Sequence, residues 1–173
     1  MNNEGSVIFP QEVNRLKKEI EEELNPNILA LKKGSIENKV RFLQSDDIVS
    51  VGTGEGSQSF AVDKISNSAE IDWNEVSDIP VILITGTNGK STTVRLMETI
   101  LAEAELNPGA SSTDGLRINL ETVEAGDYSG PEGARATLRT RGISSAVLEV
   151  ARGGILRRGL PVENVQAAII TNV

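Results

Sequence analysis

The segment that most constrains this chain begins at residue 79. Ile79-Pro80-Val81-Ile82-Leu83-Ile84-Thr85 is a short, nearly continuous apolar run rich in β-branched residues. Such a run reads as a strand buried on both faces. It passes directly into Gly86-Thr87-Asn88-Gly89-Lys90-Ser91-Thr92-Thr93. Beyond the hydroxyls, Val94, Met97, Leu101 and Ala104 recur on one helical face, and Asn107-Pro108-Gly109 stops the helix. Buried strand, glycine loop and amphipathic helix therefore follow one another without a gap.

That order has a chemical consequence. Glycines let backbone N–H groups approach an anion closely, and the helix N-terminus adds partial positive charge. A polyphosphate suits such a cradle. Lys90 would reach the β- and γ-phosphates, and Ser91 would offer its hydroxyl to Mg²⁺. The spacing departs from G-x-x-x-x-G-K-[ST], because Ile84 stands five residues before Gly89. The loop is thus a shorter variant opened by Gly86. A plain glycine-rich turn would leave a lysine at the carboxyl edge of the sheet unexplained.

The following sequence keeps alternating. Ala110–Gly115 is polar. Leu116, Ile118 and Leu120 alternate as in a half-exposed strand. A loop from Gly126 leads to a helix starting at Pro131 and ending at Gly142. Ser144–Ala151 and Val165–Val173 read as second and third buried strands. Strands alternating with helices imply βαβ units, hence an α/β fold of P-loop type with a mostly parallel sheet and flanking helices.

The first 78 residues have a different character. Val13, Leu16, Ile20 and Leu24 predict an amphipathic helix over residues 10–24, bounded by Pro10 and Asn25-Pro26. Residues 27–46 are ambiguous, with a short helix expected around Ile36–Leu43. Ile48, Val49 and Val51, then Phe60, Ala61 and Val62, predict a hairpin around Gly52, Gly54 and Gly56. No helical pattern follows these glycines, so they read as a flexible hairpin loop and not as a dinucleotide fingerprint. Residues 63–78 are polar and acidic and read as a linker. The expected division is a small α+β accessory region over 1–78 and the N-terminal part of a nucleotide-binding domain over 79–173.

Composition narrows the chemistry. The chain has no His and no Cys. Thiolate chemistry is excluded, and any metal must be a hard ion held by oxygen, Mg²⁺ before Zn²⁺. A formal net charge of −8 argues against general nucleic-acid binding. No apolar run approaches the roughly 18 residues of a membrane span, and the N-terminus lacks a secretory pattern. A cytoplasmic protein without membrane partners is the expectation.

Thr85-Gly86-Thr87-Asn88-Gly89-Lys90-Ser91-Thr92 resembles the ATP loop of the Mur ligase superfamily, which includes folylpolyglutamate synthases and cyanophycin synthetases. STDG (Ser112–Gly115), GPEGAR (Gly130–Arg135), LEVARGGILRRGL (Leu148–Leu160) and AAIITNV (Ala167–Val173) follow in order and are similar to the ligase half of cyanophycin synthetase. The resemblance covers residues 79–173. It implies an ATP-dependent carboxylate–amine ligase that phosphorylates a carboxylate to an acyl phosphate, which an amine then displaces. ATP and Mg²⁺ are the implied cofactors, and small-molecule or peptide carboxylates and amino acids the implied substrates.

Candidate site residues follow. Gly86, Thr87, Asn88, Gly89, Lys90, Ser91 and Thr92 form the nucleotide loop, and Asn172, at the same sheet edge, could face it. Glu149 ends a predicted buried strand, where ligands of open α/β sheets gather. An unpaired carboxylate there is costly to bury. From the residues alone it either partners Mg²⁺, faces water or pairs with Arg152; the resemblance implies the metal role. The resemblance also implies a hydroxyl near the metal, from Thr113 or its neighbours Ser111 and Ser112. Asp114 is either a substrate-amine contact or a turn former. Arg152 could hold a carboxylate or phosphate, Arg157 and Arg158 read as solvated helix-face residues, and Gly153-Gly154 as a tight turn.

The similarity runs to the last residue, and in the superfamily a metal-site histidine and a closing C-terminal domain come later. The expectation is a piece of a longer ligase whose sheet edge is open to pairing, including into a homo-oligomer. Three other readings compete. One is a non-catalytic nucleotide-binding module. Another is a P-loop kinase or ATPase, which would want a strand-end Asp. The third is a folylpolyglutamate-synthase-like enzyme.

Overall fold

A computed structural model describes residues 12–18, 25–65 and 71–172. Residues 12–18 are helical (α1); the rest of the helix expected over 10–24 lies outside the described residues. Helix α2 (Pro26–Glu37) follows, then strands β1 (Phe42–Gln44), β2 (Ile48–Val51) and β3 (Gln58–Ala61). The second half contains β4 (Val81–Thr85), α3 (Lys90–Glu103), β5 (Pro108–Ser112), β6 (Gly115–Ile118) and β7 (Glu121–Ala125). It continues with α4 (Pro131–Arg139), β8 (Ser145–Glu149), α5 (Arg152–Arg158) and β9 (Ala167–Ile170).

Strands β4–β9 form one six-stranded sheet in the order β7-β6-β5-β8-β4-β9. The four strands β5, β8, β4 and β9 are parallel, and β6 and β7 extend the sheet antiparallel. The expected α/β class, mostly parallel with flanking helices, is what the chain adopts. Period-two alternation assigns the faces. Val81, Leu83, Ala146, Leu148 and Val150 pack toward Ala134 and Leu138 of α4. Ile84, Ala110 and Val147 pack toward Val94, Met97 and Leu101 of α3. Among the described residues no helix is long and apolar enough to cross a membrane.

Four local readings are corrected. The segment Pro108–Ser112 is a fully buried central strand, not a helix stop followed by a polar loop. A Cβ on Gly109 would lie 2.6 Å from Ile143 Cδ1, so small residues are what let the neighbouring layer approach. The single strand expected from Leu116 is a hairpin, turned by Asn119 (φ 47°) and Leu120 (φ 69°). Strand β9 is an edge strand whose Ala167, Ala168 and Ile170 are exposed, because it pairs on one side with β4. Gly153 and Gly154 lie inside α5 and make no tight turn.

The N-terminal part also differs from expectation. Asn25 caps α2 by accepting from Asn27 N–H at 3.0 Å, and β1 occupies part of the segment where a second short helix was expected. The glycine-rich loop between β2 and β3 is not a flexible tip. Gly52 (φ 69°) and Gly54 (φ 61°) are buried, and a Cβ on Gly54 would lie 2.6 Å from the Ile143 carbonyl. Glu55 N–H donates to that same carbonyl at 3.1 Å. Leu43 of β1 joins the core of Val81 and Leu148.

Arg139, the last residue of α4, ties this small sheet to the large one. Its guanidinium donates to Ser50 Oγ (3.1 Å), Ser45 Oγ (2.9 Å), and the carbonyls of Leu43 (3.3 Å) and Ile48 (3.1 Å). Ser50 is fully buried. Arg139→Ala therefore strands buried acceptors and is expected to cost about 2–3 kcal/mol, measured as a lower urea midpoint at unchanged m-value.

Candidate functional site

The loop between β4 and α3 is built by close backbone approach. Gly86 (φ 139°) lies so near β9 that an added Cβ would sit 2.1 Å from Thr171 Oγ1. Gly89 (φ 80°) is the N-cap of α3, with nothing within 4 Å of where its Cβ would be. The N-terminus of α3, with no side-chain cap on its N–H groups, thus follows the loop directly, the arrangement that suits an anion. Two residues of the β9 end shape the loop. Asn172 Oδ1 accepts from Thr87 N–H at 2.7 Å and from Asn88 N–H at 3.1 Å, and Thr171 Oγ1 donates to the Asn88 carbonyl at 2.7 Å. Lys90 Nζ donates to the Thr87 carbonyl at 3.2 Å.

Beside the loop, three oxygen-bearing side chains converge from three elements. Ser91 Oγ donates to Glu149 Oε2 at 2.9 Å and lies 3.0 Å from Thr113 Oγ1. A hydroxyl has one proton, so Thr113 is the donor to Ser91 and the chain runs Thr113, Ser91, Glu149. Thr113 N–H reaches Glu149 Oε2 at 3.5 Å. The carboxylate is 1% exposed, and its other oxygen, Oε1, has no hydrogen-bond partner. Lys90 Nζ stands 4.0 Å from Oε1, an attraction without a hydrogen bond. A buried carboxylate oxygen in this state, beside two hydroxyls, is a donor set that fits a hard divalent ion. Among the described residues no three carboxylates gather, so such an ion would draw on hydroxyls as well.

The remaining candidates lie further out. Asp114 pairs with Arg95 of α3 at 2.8 Å and sits in the β5–β6 turn. Arg152 opens α5, exposed and not paired with Glu149. Arg157 and Arg158 are exposed in the last turn of that helix. Of the hydroxyls near Thr113, Ser112 Oγ accepts from Asp114 N–H at 3.1 Å, and Ser111 Oγ is buried without a partner. Thr113 is the one of the three that meets Ser91.

Two ion pairs hold α3 to the antiparallel extension. Besides Arg95–Asp114, Arg117 Nε donates to both oxygens of the fully buried Glu98, at 3.2 and 3.1 Å. Burial pushes the Glu98 carboxyl above its ordinary range, against the pull of Arg117. In the loop before α4, hydrogen bonds from the Ser129 hydroxyl and N–H hold Asp127 below its ordinary range. A cleft of about 820 Å³ lies at the opposite, amino edge, lined by Arg41, Phe42, Asp78 and Val162 among others. It has no comparable grouping of hydroxyls about a buried carboxylate.

Neither Thr171 nor the two ion pairs are marked by the sequence pattern. The available signal for Thr171 was its place beside Asn172 at the end of a predicted strand. Nothing local marks Glu98 or Arg117, whose pairing spans helix and strand.

A family model described as the Mur ligase middle domain matches residues 84–173, which contain the loop, Thr113, Glu149 and Asn172. The chain belongs to the Mur ligase family. Within it, this Mur ligase chain is 45% identical over 97 residues to a cyanophycin synthetase of Synechocystis sp., covering 56% of the chain and 11% of the relative. To the cyanophycin synthetase of Geminocystis herdmanii it is 45% identical over 100 residues, 58% of the chain and 11% of the relative. A UDP-N-acetylmuramoyl-L-alanyl-D-glutamate–2,6-diaminopimelate ligase of Geobacter sulfurreducens is 30% identical over 115 residues, 63% of the chain and 22% of that protein. The chain thus aligns with about a tenth of the length of the cyanophycin synthetases it matches.

The tight approach of Gly86 to β9 is testable. Gly86→Ala is expected to cost about 1–3 kcal/mol through its positive φ and the Thr171 contact. Adding Thr171→Ala should recover part of the loss in a thermal double-mutant cycle; strict additivity would place the whole cost in the backbone.

Proposed function

We propose that this segment is the phosphate-handling part of an ATP-dependent carboxylate–amine ligase of the cyanophycin-synthetase-like kind. The observation that carries this reading is the convergence of Ser91, Thr113 and the buried Glu149 beside a glycine loop and Lys90 at one sheet edge. In the proposed reaction, a carboxylate oxygen attacks the γ-phosphorus of ATP and ADP leaves. An amine then attacks the acyl carbon and phosphate leaves, giving an amide. The requirement is positioning and neutralisation of phosphate charge more than a strong base, which suits a chain without His or Cys.

Each loop residue has a task in this reading. Gly86 to Thr92 present backbone N–H groups to the polyphosphate. Lys90 exchanges its hold on the Thr87 carbonyl for the phosphate oxygens. Ser91, Thr113 and Glu149 would hold Mg²⁺, whose chemistry when bound is to neutralise phosphate charge. Asn172 serves the nucleotide indirectly, through the two N–H groups it fixes. Asp114 and Arg152 border the edge where substrates would enter. In this assignment residues 79–173 supply the N-terminal part of the ATP-binding domain, and residues 1–78 an accessory region, of which Arg41 and Leu43 meet the large sheet.

Lys90→Ala is expected to weaken Mg·ATP affinity about ten- to hundred-fold with the fold intact, since it removes charge-assisted hydrogen bonds. Calorimetric titration with circular dichroism on the same sample reads both, and unchanged affinity removes the phosphate-loop assignment. Glu149→Ala should raise the Mg²⁺ concentration needed for turnover more than it alters nucleotide affinity. A wild-type Mg²⁺ titration for that variant would return Glu149 to a purely structural role.

A further inference from the structure

At the amino edge of the sheet, one guanidinium joins the approaches to two neighbouring strands. Arg41 donates from Nη1 to the Ile79 carbonyl at 3.2 Å and from Nη2 to the Asn164 carbonyl at 2.9 Å. Its own N–H donates to Asp78 Oδ2 at 2.9 Å, and that oxygen also lies 3.5 Å from Nη1. Asp78 is held in turn by Thr53, whose hydroxyl donates to Oδ1 at 3.1 Å. Asp78 and Ile79 lead into β4, and Asn164 leads into β9. The side chain of Arg41 is 13% exposed, so this fork is formed largely out of water.

The strand fixed in this way needs fixing. β9 is four residues long, pairs in the sheet with β4 alone, and exposes most of its side chains. At its far end stand Thr171 and Asn172, whose side chains hold the Thr87 and Asn88 backbone. Asparagine is short, and its two hydrogen bonds to the loop leave little slack. Between the two ends, Gln166 exchanges hydrogen bonds with Val81 (2.6 and 3.0 Å) and Thr171 N–H donates to the Thr85 carbonyl at 2.9 Å, so the Arg41 fork is the first of a series of ties along β9 that ends at Asn172.

We propose that Arg41 is a positioning residue for the phosphate loop: it fixes β9 against β4 from the amino edge and so holds Asn172 Oδ1 against the N–H groups of Thr87 and Asn88. The fork geometry is essential, because two carbonyls on separate segments need two divergent N–H donors, and lysine presents one compact ammonium. The effect on nucleotide binding rests on the function proposed above; the effect on the loop backbone does not.

The test uses the 173-residue chain as wild type, Arg41→Lys, Asn172→Ala and the double variant. Amide exchange at Thr87 and Asn88 is read by NMR, and Mg·ATP affinity by calorimetry. Arg41→Lys keeps the charge beside Asp78 and is expected to leave β8 protected. Exchange at Thr87 and Asn88 should rise about ten-fold, the equivalent of one weakened hydrogen bond, and Mg·ATP affinity should fall several-fold. In the Asn172→Ala background the Arg41 substitution should add nothing to either readout. Unchanged exchange at the two amides, effects that simply add, or a uniform rise in exchange across the whole sheet would each overturn the proposal. Failure of the wild type to bind Mg·ATP would remove the nucleotide reading, and the exchange data alone would then decide the role of Arg41.

Discussion

The parallel register of β4 between β8 and β9 is the constraint on which the candidate site depends. In that register Ile84 lies opposite Glu149, and Thr85 lies opposite Ile170. Glu149 therefore emerges beside the start of the loop, with Thr171 and Asn172 just beyond on the other side. The hydrophobic pattern enforces this placement. Ala146, Leu148 and Val150 face the α4 layer, while Val147 faces α3. A one-residue change in the way β8 presents its side chains would turn Glu149 toward the apolar cluster around Leu138 and away from Ser91 and Thr113. The same alternation that builds the core thus delivers one acid to the hydroxyl side of the sheet.

The antiparallel extension supplies the third member of the constellation. Thr113 lies in the turn between β5 and β6. Arg117 ties the strand after that turn to α3, gripping both oxygens of Glu98 while also donating to Thr122 Oγ1 and the Leu120 carbonyl. A buried ion pair of this kind gains little net stability, since desolvation offsets its attraction. Its value is directional, because one guanidinium fixes a helix, a strand and a turn relative to one another. Arg95 and Asp114 repeat the tie closer to the site in a more exposed form, where water screens it.

The elements legible in the sequence were those whose signal is contiguous. The run into Gly86 and the spacing of Val94, Met97 and Leu101 identified β4 and α3, since burial and helical period are both written locally. The strand Pro108–Ser112 was illegible because its residues have the composition of a turn; its burial comes from the close approach of Ile143 and Thr137, which local composition does not record. At the site, Ser91 followed from loop spacing and Glu149 from its strand-end position. Choosing among Ser111, Ser112 and Thr113 required the direction of each side chain at the end of β5. Asn172 was placed at the right edge, but its hold on the loop backbone depends on how closely β9 passes Gly86. Arg41 and Arg139 carried no local mark, for their partners lie dozens of residues away.

The two edges of the sheet are held by different means. At the amino edge long side chains span segments: Arg139 reaches four residues of the small sheet, and Arg41 bridges Ile79 and Asn164. At the carboxyl edge the groups about the loop are short, Ser91, Thr113, Thr171 and Asn172, and their side-chain contacts fall between 2.7 and 3.3 Å. Short side chains have few rotamers with which to follow a displaced backbone, so geometry at that edge is set by where the strands and turns end. At the opposite edge the Arg41 fork bridges the lead-ins to β4 and β9, away from the loop. Lys90 is a long cation at the loop itself, and its Nζ donates to the Thr87 carbonyl at 3.2 Å. Under the proposed function, a frame of short polar side chains around one long cation suits phosphate transfer by positioning.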